Sequence, residues 1–321
     1  MAFSQSLTFL SQLCSRFFVE ILFHQEDYSL GKNSTFSGML CVLTAAMLWG
    51  TTGTLQGLLP PAREPVVVGA LRVLLASVGL WAAFLISAPS TKSMPELPKR
   101  RIFAAGLAIA GYNLFFFAGV SLAGVGVGTA IALGSGPLWV SLFELVFSGF
   151  RPSPRSLAGQ AAAITGLTVL VAGDIGQGGA FSGYVLSALA GLSYGSYVYI
   201  TGGVDQKIPS TLLAAATFSV SSLVLAPSFL LLSTAWIDLR SIFLLLFLGL
   251  VAASIPFFLF TFGVRQMHAS TAVTLSLAEP FTAWVLATVV LGEPVTHSKV
   301  VGALILVVGI RIVAGATRSS D

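Results

Sequence analysis

A single carboxylate, Glu279, stands within the run STAVTLSLAEPFTAWVLATVVL, which extends 22 residues from Ser270 to Leu291 with no other formal charge. As a helix such a run crosses a hydrocarbon core about 30 Å thick, and Glu279 falls near its midplane. A charge at that depth costs several kcal/mol unless it is paired, protonated or facing water. Pro280 follows and withholds a backbone N–H, so an expensive charge and a helix defect share one position. Two chemistries suit this group: pairing with a cation, or taking up and releasing a proton. A neutral Glu bonded to a neighbouring helix beside a harmless kink is the plainer alternative.

A guanidinium, Arg72, lies six residues inside the apolar run 66–88, or roughly 9 Å deep at about 1.5 Å per residue. A bridge between Arg72 and Glu279, through side chains or a bound zwitterion, is feasible from these heights. Snorkelling of Arg72 toward the interface beside Glu64 fits them equally well. Other polar side chains fall in apolar runs: Trp49, Thr51, Thr52 and Gln56 in one, and Tyr194, Ser196, Tyr197 and Tyr199 in another. Tyr112 with Asn113, Ser135 with Trp139, and Trp284 five residues beyond Glu279 complete the set. Polar groups in hydrocarbon need partners, so these helices face the protein interior or water. Substrate contact and hydrogen bonding between helices both remain open for each of them. Phenylalanines at 115–117 and at 257, 258, 260 and 262 could line an aromatic cavity, or face lipid and pack.

Catalytic chemistry finds no support. His24, His268 and His297 lie in separate segments, Cys14 and Cys41 suggest neither a disulfide nor a metal site, and no nucleophile elbow, phosphate loop or dinucleotide fingerprint occurs. No enzyme, metal or cofactor is expected.

The elements that must position these groups are legible in the composition. Hydrophobic residues make up 55% of the chain and charged ones 9%, against about 25% charged in soluble domains. The chain is an all-α membrane protein. Ten apolar runs fall at about 37–59, 66–88, 102–122, 126–148, 156–174, 181–200, 211–232, 241–263, 270–291 and 298–316. Short connections leave no room for a soluble domain. With a cytoplasmic N-terminus the inner side receives eleven Lys and Arg, among them Lys99, Arg100, Arg101, Lys207 and Arg265, and the outer side only Arg63, Arg240 and Lys299. That bias places both termini inside, and the net charge of +4 reads as a topology signal rather than a nucleic-acid footprint. Glu144 and Asp174, near span ends, read as solvated, and Glu293-Pro294 as a loop. Residues 1–36 differ in character, with an apolar stripe at Phe3, Leu7, Leu10, Phe17 and Ile21 that suits either an interfacial amphipathic helix or a bland extension.

A weak internal repeat divides the chain. Pro137, Gly149, Gly159 and Gly166 recur as Pro280, Gly292, Gly302 and Gly309, each 143 residues later, and Trp49-Gly50 has a counterpart in Tyr194-Gly195. Pro137 and Pro280 are both expected to break their helices. Five spans per half is odd, so the second half enters the membrane from the opposite face: ten transmembrane helices form two inverted five-helix repeats. The expected divisions are 1–36, a first repeat at 37–174, a second at 181–316 and a tail at 317–321.

These marks carry a family likeness. The chain resembles the drug/metabolite transporter superfamily, specifically its ten-helix EamA-type branch, in its span count, its Leu48-Trp49-Gly50 signature, Arg72, and the Glu279-Pro280 and Gly292-Glu293 pattern of the ninth span. The likeness covers about 37 to 316. It departs in the first half, where Gly136 precedes Pro137 and Phe150 follows Gly149. It implies secondary transport of small metabolites, often export of amino acids or related amines, through a cavity between the repeats. The expected partners are a small-molecule substrate, the lipid bilayer and, if coupling is proton-linked, protons at Glu279; no nucleic acid is expected. A bacterial cytoplasmic membrane is the expected location. Import or facilitated passage of a sugar or nucleotide-like solute is the rival within transport, and a sensor or scaffold without turnover the rival outside it. The candidate substrate contacts are Trp49, Thr52, Gln56, Arg72, Tyr112, Asn113, Trp139, Tyr194, Tyr197, Glu279 and Trp284.

Overall fold

The computed structural model describes residues 34–87, 96–172 and 179–318. The apolar stripe of residues 3–21, Cys14, Asp174 and the last three residues lie outside them. Among the described residues every long element is a helix, and ten can be followed in order. They are α1 (Ser34–Gly57), α2 (Pro65–Ser87), α3 (Lys99–Ala123), α4 (Val125–Ser148), α5 (Pro154–Val171), α6 (Phe181–Gly202), α7 (Ser210–Leu231), α8 (Leu239–Val264), α9 (Ala269–Leu291) and α10 (His297–Arg318). Eight are long and apolar enough to span a membrane. The remaining two, α5 and α6, carry Gln160 and a set of Gly, Ser and Tyr residues that are less apolar. Those polar groups are tolerable because α5 packs along α10, and α6 lies against α3 and α4.

Local signals fix several helix ends. Ser153 accepts the backbone N–H of Ser156 at 3.2 Å and Pro154 opens α5, joining an N-cap to a residue that needs no N–H there. Gly149 and Gly292, the repeat-related pair, close α4 and α9 in the left-handed region at φ 66° and 73°.

The packing pattern displays the repeat. Helix α1 lies against α8 and α9, as α6 lies against α3 and α4, while α2 pairs with α7 and α5 with α10. Exchange of α1–α5 for α6–α10 maps this pattern onto itself, as two inverted five-helix repeats about one axis require. The α5–α10 seam uses the recurring glycines. A Cβ on Gly166 would lie 2.3 Å from the backbone nitrogen of Leu306, and one on Gly302 2.3 Å from that of Leu170. Any side chain there would push the two backbones apart.

Two expectations change. Helix α4 runs unbroken through Pro137. Gly134, Ser135 and Gly136 ahead of the ring are small, and the helix continues past the missing hydrogen bond. Glu144, expected to be solvated, is only 4% exposed. It faces α9 rather than water, and its Oε1 accepts the backbone N–H of Ser270 at 3.3 Å.

Candidate functional site

The ninth helix breaks ahead of Glu279. Its first part ends at Leu275 and its second begins at Ala278. Between them the chain tightens, with Leu277 N–H donating to Thr274 O at 3.2 Å and Glu279 N–H to Ser276 O at 3.0 Å. Pro280 has no N–H to give the Ser276 carbonyl, and Glu279 takes that acceptor one residue early. The Tyr194 hydroxyl of α6 donates to Ser276 Oγ at 3.0 Å, and Ser276 Oγ donates to Val273 O at 2.8 Å, tying the break to the first helix of the same repeat. Glu279 thereby sits in the first turn of the second half-helix, where the positive end of the helix dipole favours a negative charge. Helix α1 lies directly over this turn: a Cβ on Gly50 would come 2.8 Å from the Glu279 carbonyl oxygen and 2.7 Å from Thr282 Cβ.

Arg72 is held from the other side. Helix α8 contains a π-helical stretch, Phe247–Ser254, followed by Pro256. Because Pro256 has no N–H for the carbonyl four residues back, that of Ala252, this oxygen is free for another donor. Arg72 bonds it at a long 3.5 Å, while its Nε is buried without a partner. The guanidinium is positioned but keeps donors in reserve.

Arg72 and Glu279 line one cavity, together with Trp49, Tyr112, Asn113, Tyr194, Phe218 and Phe257. Among the described residues neither charge closes on the other as an ion pair. Aromatic rings wall the space: Trp49 lies 4.8 Å from Phe257, Tyr112 5.6 Å from Tyr194, and Phe218 4.4 Å from Phe257, centre to centre. The Trp49 indole N–H is buried with no acceptor. The cavity measures about 40 Å³, enough for a few waters at roughly 15 Å³ each but not for an amino acid. Loading a solute requires the helices to part.

Of the residues singled out in the sequence, Trp49, Arg72, Tyr112, Asn113, Tyr194 and Glu279 meet here. Thr52, Gln56, Trp139, Tyr197 and Trp284 do not line this cavity. Tyr197 is wholly buried, its hydroxyl 3.1 Å from Thr261 Oγ1. Trp139 packs its Cβ over Gly195 of α6, where a Cβ would approach to 3.1 Å. Thr52, Trp139 and Trp284 each keep a buried polar atom without a protein partner. Asn113 donates to the Ile109 carbonyl at 2.9 Å from the cavity wall. Phe218, Val73, Ile109, Leu133 and Ala253 also line the cavity and carried no sequence signal, being apolar residues in apolar runs. Pro256 did carry one, since a proline four residues after Ala252 marks the freed carbonyl.

At the end of the bundle that holds Lys99 and Arg101, Arg265 is 7% exposed rather than solvated. It donates through Nη1 to Ser210 Oγ at 2.8 Å and through Nη2 to the Asp205 carbonyl. Burial pushes its pKa down to about 10, with the Asp205 charge opposing that shift.

Comparison with known proteins agrees with this architecture. The EamA-like transporter family model matches residues 36–172 and again 181–315. A Bacillus subtilis (strain 168) protein named "Uncharacterized transporter YwfM" is 32% identical over 280 residues, spanning 87% of this chain and 94% of that protein. A Salmonella typhimurium protein named "Probable amino-acid metabolite efflux pump" is 26% identical over 289 residues, spanning 86% and 93%. A solved crystal structure superposes with a TM-score of 0.75 over 88% of this chain and 98% of that one, at 20% identity, a likeness of fold alone. Ten helices in two inverted repeats around a broken ninth helix, with two matches to one family model, place the chain in the EamA-like transporter family of the drug/metabolite transporter superfamily.

Proposed function

We propose that this transporter is a secondary carrier that exports amino acids or related amines by alternating access across a bacterial cytoplasmic membrane, with both termini cytoplasmic. One observation carries the reading: Arg72 and Glu279 line the same cavity without pairing with each other. A zwitterion supplies the missing partners, its carboxylate meeting the guanidinium and its ammonium the Glu279 carboxylate. The unsatisfied Trp49 N–H adds a donor for the substrate carboxylate. The name of the Salmonella relative supports the substrate class, and the charge bias of the loops supports the orientation. Glu279 is the carboxylate that would couple proton movement to flux.

Substrate counterflow in proteoliposomes tests the reading, with labelled amino acids, amines, sugars and nucleosides offered with and without a pH gradient. Exchange of amino acids or amines is expected, and accumulation driven by the gradient would disappear in Glu279→Gln if protons are coupled. Exchange confined to sugars or nucleosides would overturn the substrate class. Ligand-dependent thermal stabilisation with no flux for any compound would favour a sensor.

A further inference from the structure

A second pocket, of about 600 Å³, opens at the end of the bundle where Arg101, Ser148, Phe150, Tyr199 and His268 lie. Along α6 it begins five residues beyond Tyr194 of the central cavity, roughly 7 Å at the helical rise. Glu144 belongs to this pocket, not to the central one.

The bonding of Glu144 is incomplete. Its residue is 4% exposed, its Oε1 accepts one long bond from Ser270 N–H at 3.3 Å, and its Oε2 is buried with no partner. His268 Nδ1, at 3.9 Å from Oε1, is beyond hydrogen-bond distance. A carboxylate has about four acceptor sites, and one weak bond leaves most of its desolvation cost uncompensated. Three aromatic rings, those of Phe150, Tyr199 and His268, line the same pocket. The His268 ring, with a side chain 51% exposed, stacks on Phe150 at 3.5 Å between centres, and Tyr199 bonds Ser148 Oγ at 2.8 Å. Arg101 is exposed, is tied to the Gly203 carbonyl and leaves its charge in water.

We infer that this pocket is a second solute site, in which a primary ammonium group binds Glu144 at Oε2 and lies against the Phe150 ring. A primary ammonium carries three donors for the unfilled acceptor positions, and an aromatic face adds attraction for a desolvated cation. His268 covers the place, and its ring swings off Phe150 as the ammonium enters. The volume is that of a small-molecule site, whereas the central cavity is closed to such a solute in this conformation. Its role as the place where substrate lodges before or after the central cavity rests on the reading of the chain as an amine or amino-acid carrier; the binding itself does not.

The test uses the full chain in lipid nanodiscs with Cys14 and Cys41 replaced by Ser, and a trifluoromethyl label on Ser148→Cys read by fluorine NMR. The probes are 2-phenylethylammonium and its uncharged counterpart 2-phenylethanol. The amine is expected to shift the label saturably and the alcohol to leave it unmoved. Glu144→Gln is expected to weaken the amine response at least tenfold, while Glu279→Gln preserves it. Equal responses to amine and alcohol would overturn the site without any change at position 144. So would a response that survives Glu144→Gln, or one that is lost only in Glu279→Gln. Failure of the central reading would appear separately, as absent counterflow beside an intact label response.

Discussion

Arg72 is held by one long bond to a carbonyl and Glu279 by the dipole of a half-helix, so both charges keep capacity for a ligand. A guanidinium in this position can grip a carboxylate with two parallel bonds, and an ammonium cannot. Arg72→Lys is therefore expected to raise the half-saturation concentration for an amino acid at least tenfold in proteoliposome uptake; unchanged uptake would remove the two-bond role. At this scale the sequence exposes charges and aromatics well. Arg72 and Glu279 stand out because ionisable groups are costly in hydrocarbon, and the structure brings them to one cavity. Which of Trp49, Trp139 and Trp284 faces that cavity depends on helix rotation, and flat apolar patterns around each tryptophan do not reveal it. The burial of Glu144 is hidden in the sequence for the same reason. Its place near the span end suggested water, but α4 turns it toward α9.

The broken helix α9 is the element on which the site depends. Glu279 can stand at a helix start only because the chain unwinds at Ser276–Leu277, and Tyr194 of α6, the first helix of the same repeat, holds that turn. Tyr194→Phe removes one buried hydrogen bond and is expected to cost about 1 kcal/mol of stability, measurable as a lower unfolding temperature in detergent. Because the bond holds the turn that presents Glu279 to the cavity, the exchange rate should change as well, and an unaltered rate would show that the turn is set by Pro280 alone. The prolines show how far sequence reaches at this scale. Pro137 and Pro280 look alike in the chain, yet α4 absorbs one and α9 breaks at the other. Ser276, with its bonds to Tyr194 and Val273, secures the break in α9. The π-helical stretch of α8 shows no periodic signal, and only Pro256 marks it.

The molecule as a whole is organised by its pseudo-symmetry, which the sequence carries as a weak repeat. Glycines spaced 143 residues apart mark the seam between α5 and α10, because only glycine lets two backbones approach so closely. Gly166→Leu is expected to separate those helices and lower stability by about 1–3 kcal/mol, seen as reduced yield of folded protein and an earlier unfolding transition. The repeats differ in the ninth span: Glu279 has Gly136 as its counterpart, so the inverted halves share a frame but not a charge. That asymmetry leaves the central cavity with one carboxylate and one guanidinium, the complement of a zwitterion.

The most direct test of that complement offers proteoliposomes one labelled neutral amino acid and competes it with its methyl ester and its N-acetyl derivative, which lack the carboxylate and the ammonium charge respectively. Competition by the unlabelled zwitterion and none by either derivative is predicted, with Arg72→Gln losing discrimination against the ester and Glu279→Gln losing discrimination against the N-acetyl form. Equal competition by all three compounds would contradict recognition by opposed charges.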